Sequence, residues 1–151
     1  MKRIFLLVFM AILLAGCAKS DQVDVNYTIS KQDEALIEEY INQNLYEPVS
    51  DAKIHSIFEV LGSNMSKGEL YLWVIVQEVD QERNKTGTIL SGPVLLKVRQ
   101  GEEGLQVLKH KEPRDGVQYN KDINKMFPEE VREKITYFDS AELMKQLEEQ
   151  Y

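Results

Sequence analysis

The chain carries two histidines and a single cysteine, and chemistry is sought there first. Imidazole titrates nearest to neutrality, so His55 and His110 are the candidates for a general base or a metal ligand. Both lie in stretches that alternate like strands, and strand partners could bring them together. His110 stands two residues before Glu112, which defines a hydrolase reading in which His110 works with a nearby acid. A metal pair would need at least one further ligand placed by the fold. Two surface or half-buried strand histidines are the plainer reading. No Gly-x-Ser-x-Gly elbow and no His-Glu-x-x-His helix occurs in the sequence. Cys17, as the only cysteine, supports neither a disulfide framework nor a thiolate metal site. No catalytic residue, metal site or cofactor is expected, and the chain is not read as an enzyme.

The remaining polar motifs are weighed against structural roles. Asn120-x-Asp122-x-Asn124 begins like a calcium loop. Such a loop requires glycine at its sixth position and glutamate at its twelfth, and here Lys125 and Val131 stand there. The stretch therefore reads as a capped helical turn. In Glu112–Tyr119, Arg114 offers a planar fork to a carboxylate or phosphate. Pro113, Asp115 and Gly116 are turn residues, so a turn in which Arg114 pairs internally, for example with Asp122, is preferred. Tyr71, Trp73 and Tyr119 could line a ligand groove, although aromatics at alternating strand positions are more often core. Trp73, Arg114 and Tyr119 are kept as the candidate ligand- or partner-contact residues. The glutamate pairs at 38–39, 129–130 and 148–149 read as solvated helix faces.

The elements that must position these residues follow from periodicity. Ser30 with Asp33 forms a variant capping box, opening a helix whose stripe is Leu36, Ile37, Tyr40, Ile41 and Leu45. Tyr46-Glu47-Pro48 ends it. Four strands follow. Lys53–Leu61 places Ile54, Phe58 and Val60 on one face and Ile57 and Leu61 on the other. A turn over residues 62–68 leads to Glu69–Val79, apolar on both faces and so central. The charged 80–87 connection leads to Thr88–Arg99, in which Ser91-Gly92-Pro93 predicts a bulge or an edge position. A turn at 100–104 leads to Leu105–Lys111. Asn120 is expected to cap a short helix carrying Ile123 and Phe127, and Pro128 to take the first position of the next, Glu129–Ile135. Asp139 opens a last helix with Leu143, Met144, Leu147 and Tyr151 on one face. Short links imply an antiparallel meander. The expected fold is α+β: about four strands, the N-terminal helix across one face and short C-terminal helices, of cystatin-like or NTF2-like type.

The first seventeen residues set the compartment. Lys2 and Arg3 precede an uncharged apolar run, Ile4–Leu14, too short to span a bilayer and of the length of a secretory signal. Leu14-Ala15-Gly16-Cys17 resembles the lipobox of bacterial lipoproteins. The resemblance implies cleavage before Cys17 and a diacylglyceryl group on its thiol, whose two acyl chains hold firmly where one is marginal. Residues 1–16 then form the signal peptide, 17–28 a lipidated tether, and 29–151 one domain. Val23, Val25 and Tyr27 alternate, leaving a weak edge strand as the other reading of the tether's end. The full chain carries a net charge of −7, and loss of Lys2 and Arg3 makes it more acidic still. That balance argues against nucleic acid as a partner.

A second resemblance rests on Leu70–Val76, Ser91-Gly92-Pro93-Val94, Pro113-x-Asp115-Gly116-x-x-Tyr119-x-x-Asp122-Ile123 and Phe127-Pro128. These are similar to envelope proteins of low-GC Gram-positive bacteria. In some, the segment stands alone behind a lipoprotein signal; in others it lies outside the membrane after an integral-membrane peptidase of the β-lactam-sensor type. The resemblance implies a sensing, binding or inhibitory domain and supplies no catalytic residues. The expectation is a lipid-anchored protein at the extracytoplasmic face of the cell membrane, binding an envelope protein or peptide. A small-ligand-binding or sensing lipoprotein, with a pocket near Trp73 and Tyr119, is the alternative.

Overall fold

The computed structural model describes residues 22–48, 52–80 and 85–150. The stretch read as a signal peptide, Cys17, the first part of the expected tether, residues 49–51, residues 81–84 of the charged connection and Tyr151 lie outside the described residues. The order of elements is α1 (Lys31–Asn44), β1 (Lys53–Asn64), β2 (Glu69–Asp80), β3 (Lys85–Gln100), β4 (Leu105–Lys111), a 3-10 turn (Gly116–Gln118), α2 (Tyr119–Met126), α3 (Glu129–Thr136) and α4 (Ser140–Glu148). The strands form one antiparallel sheet in the order β1-β2-β3-β4. This is the α+β meander that the short links imply.

The two apolar faces of β2 explain the layering. Leu70, Leu72, Val74 and Val76 are fully buried on one face, against Ile37 and Ile41 of α1. Tyr71 and Ile75 are buried on the other, beneath Ile123, Phe127, Val131, Leu143 and Leu147 from α2 to α4 and the α2–α3 link. The C-terminal helices thus pack on the same sheet as α1 but on its opposite face. A strand apolar on both sides requires such a cover, since a one-sided cover would leave half of its side chains in water.

Several boundaries differ from expectation for local reasons. β1 continues to Asn64 through a bulge between Val60 and Gly62, so the turn shrinks. β3 runs unbroken through Pro93, which pairs with Trp73. β4 covers β3 only from Leu95 onward, so the edge beyond Pro93 is open and its missing N–H is not needed there. Asn120 does not cap α2. The 3-10 turn runs straight into the helix at Tyr119, and Asn120 already lies within it. Pro128 is the N-cap of α3 rather than its first residue. Ser30 and Asp139 do cap their helices, accepting from the backbone N–H of Asp33 and Ala141.

The segment before α1 is seated on the domain. Asp24 and Ser63 exchange both backbone hydrogen bonds, at 2.8 and 2.9 Å. The Lys134 ammonium of α3 donates to the Val25 carbonyl. Among the described residues no helix is long and apolar enough to cross a membrane.

Candidate functional site

A concavity lies where α1 passes beside β4, an outer strand of the sheet. It is a groove of about 980 Å³, walled by Leu36, Glu39, Tyr40 and Gln43 of α1 and by residues 99–107 of the β3–β4 hairpin. The helical wall follows from spacing: residues 36, 39, 40 and 43 share one side of a helix. Leu36, Tyr40, Leu105 and Val107 supply apolar surface, while Glu39, Glu102 and Glu103 are acidic. Arg99 is the one cation of the lining, and its Nε donates to Gln106 Oε1 at 2.7 Å.

The two walls are fastened together. Asp33 Oδ1 accepts the Leu105 N–H at 2.6 Å, across 72 residues of sequence. Its Oδ2 accepts the Ser30 hydroxyl at 2.7 Å, and Gln32 Nε2 donates to the Glu103 carbonyl. Asp33 therefore caps its own helix and holds the hairpin. The Leu105 N–H, then the Ser30 hydroxyl and N–H, outweigh burial and keep its carboxyl below the usual range. Gly104 makes room for this contact. Its φ is +128°, and a Cβ there would lie 2.7 Å from Asp33 Oδ1 and 3.2 Å from Leu36 Cδ1.

Farther along, Tyr40 and His110 share a hydrogen bond of 3.0 Å between the phenol oxygen and Nδ1. His110 Nε2 stands 3.9 Å from Glu112 Oε1. The three groups stand in the order hydroxyl, imidazole, carboxylate, the sequence of a nucleophile, a base and its orienter. The Tyr40–His110 bond ties α1 to β4. Nε2 to Oε1 is beyond hydrogen-bond reach, and burial raises the Tyr40 pKa, so the phenol keeps its proton. Burial, opposed by His110 and aided by Asp115, also pushes the Glu112 carboxyl up.

The two histidines do not meet. His55 lies on β1 and His110 on β4, the opposite outer strands, so two strands separate them. Among the described residues no three of His, Cys, Asp and Glu gather as a metal site.

Trp73, Arg114 and Tyr119 fall on the face covered by α2, α3 and α4, away from the groove. Trp73 stacks on Phe138 with ring centroids 4.5 Å apart and planes 16° from parallel. Its Nε1 donates to Ser91 Oγ at 3.4 Å. Tyr119 is half-buried against the cluster of Ile123 and Phe127. Arg114 forms a two-pronged pair with Asp122: Nε to Oδ2 at 2.7 Å and Nη2 to Oδ1 at 2.8 Å. The Arg114 backbone N–H adds a third bond to Oδ2 at 3.1 Å. Asp122 is held well below the usual carboxylate range by these bonds, the side-chain ones first. Both of its oxygens are engaged, as the turn reading of the loop requires. Tyr71 donates to Glu69 at 2.6 Å, and Lys97 pairs with the same carboxylate. Lys97 and Tyr71 together overcome the burial that would raise the Glu69 pKa. A smaller polar hollow of about 540 Å³ lies on this face, between the β1–β2 turn and the α2–α3 link.

Sequence reasoning found Asp33 as a cap and His110 as a candidate base, but not the groove. Tyr40 carried a faint signal, a polar-tipped residue on an otherwise aliphatic stripe. Comparison with protein-family models, with curated proteins and with solved structures returns no match, and so adds nothing to the cystatin-like or NTF2-like expectation.

Proposed function

We propose that this chain is a lipid-anchored, extracytoplasmic protein that binds a protein or peptide without chemically transforming it. The supporting observation is the groove between α1 and the β3–β4 hairpin. Its walls are joined by Asp33 and by the Tyr40–His110 bond, so it is formed before any partner arrives. A preformed groove with apolar and charged walls can seat a linear peptide. The anchor at Cys17 supplies the location, on the lipobox resemblance. A small-ligand or sensing role near Trp73 and Tyr119 has less to support it, because the Trp73 ring face is taken by Phe138.

Two linked experiments test the proposal. A Cys17→Ser chain, expressed in a Gram-positive host, should lose incorporation of labelled palmitate and leave the membrane fraction. Crosslinking in intact cells should then capture one dominant envelope protein with the native chain, and lose it with Tyr40→Ala at equal abundance. Labelling that survives Cys17→Ser would refute the anchor. Absence of any captured species from an abundant, folded protein would refute partner binding.

A further inference from the structure

The groove also carries information about what enters it. We infer that its occupant is a positively charged, extended segment of a partner protein, held through its side chains rather than by strand addition to β4. This rests on the groove being the binding site and adds the chemical class of the occupant.

Charge is the first argument. Glu39, Glu102 and Glu103 all line the groove, against Arg99 alone, and Arg99 is engaged with Gln106. A cationic side chain entering there meets carboxylates of opposite charge, one of which, Glu39, also accepts from Gln43 Nε2 at 3.0 Å. The second argument is the apolar surface between those carboxylates. Leu36, Tyr40 and Val107 offer it. Lysine and arginine bury their methylene stems on such surface while the charged head reaches a polar rim. The Tyr40 ring adds an aromatic face for an ammonium or guanidinium group. An anionic or purely aliphatic segment would use only part of this lining.

The mode of binding follows from β4 itself. Lys109 and Lys111 are exposed on this strand beyond the groove lining. Charged lysines on an outer strand are a standard guard against added strands. The Leu105 N–H is already committed to Asp33, so a ladder that reached the hairpin end would have to break the bond that holds the groove together. Contact through side chains at the hairpin end avoids both obstacles.

The test uses the full-length chain in detergent and rhodamine-labelled peptides of roughly eight residues with alternating sequence: Lys-Ala, Ser-Ala and Glu-Ala. Fluorescence anisotropy at low salt should rank them in that order, with the Lys-Ala peptide weakened on the order of tenfold by E39Q/E102Q/E103Q. Raising the salt to about 0.5 M should remove most of the advantage of Lys-Ala. Unchanged affinity in the triple variant, with its fold verified by circular dichroism, would overturn the charge assignment. Equal or tighter binding of Ser-Ala or Glu-Ala, abolished by Tyr40→Ala, would also overturn it while leaving the groove as a peptide site. Failure of all three peptides to bind would overturn both.

Discussion

Replacing Asp33 by alanine should separate the two walls of the groove. The variant keeps the Ser30 hydroxyl bond to the residue-33 N–H but loses the carboxylate's bonds to Leu105 and Ser30. A hydrogen bond to a charged acceptor contributes about 1.5–3 kcal/mol. Asp33 is only partly buried, and water competes for its oxygens, so about 1–2 kcal/mol is expected for the pair of contacts. Against a total of about 5–15 kcal/mol this is a measurable fraction. Urea unfolding followed by circular dichroism would read it as a lower midpoint with an unchanged slope. The pH dependence gives a second readout. The folded-state pKa of Asp33 lies below its ordinary value of 3.8. Its contribution is therefore fully present above about pH 4–5 and fades as pH falls through the folded-state value. The gap between wild type and Asp33→Ala should shrink on acidification over that window. A gap under about 0.5 kcal/mol at neutral pH, or one that does not change with acid, would refute the latch.

Three further outcomes are expected. Gly68→Ala should cost about 2–4 kcal/mol, since φ is +61° and the new methyl would overlap the Val98 carbonyl; a loss below about 1 kcal/mol on urea titration would show that the turn can move. Leu147→Ala should cost about 2–5 kcal/mol, because Leu147 of α4 is fully buried against Ile75 of the sheet; a near-neutral result would mean that α4 does not pack on the sheet. Arg114→Ala and Asp122→Asn should each lower the thermal midpoint, and the double variant should lose less than their sum, since they break one shared pair. Strict additivity would deny the coupling.

The parts legible in the sequence are those set by neighbours a few residues apart. The Ser30–Asp33 cap, the meander and the doubly apolar β2 all follow from local spacing, whereas the packing of the C-terminal helices on the second face of β2 does not. The internal pairing of Arg114 with Asp122 was readable because eight residues and a turn separate them. The groove was not readable. Its walls meet through Asp33–Leu105 and Tyr40–His110, partners 72 and 70 residues apart. Nothing in a single strand or helix encodes which distant edge it will lie beside. His110 shows the same limit: its type was legible, but its Tyr40 partner, 70 residues away, was not.

The hydrogen bonds that fasten Asp24 to Ser63 and Val25 to Lys134 decide how the domain can move. If Cys17 carries the proposed lipid, the leash from there to Gln22 spans at most about 18 Å, at ~3.5 Å per residue. The leash enters beside the β1–β2 turn, at the end of the sheet where the Val98 N–H meets Gly68 and the β3–β4 hairpin closes. Under the proposed anchoring, the groove's hairpin end would face the bilayer. Such tethering would be a filter of altitude: it would admit segments that emerge from membrane neighbours and penalise targets set farther from the bilayer. Lengthening the leash with a flexible insert would trade that selectivity for reach.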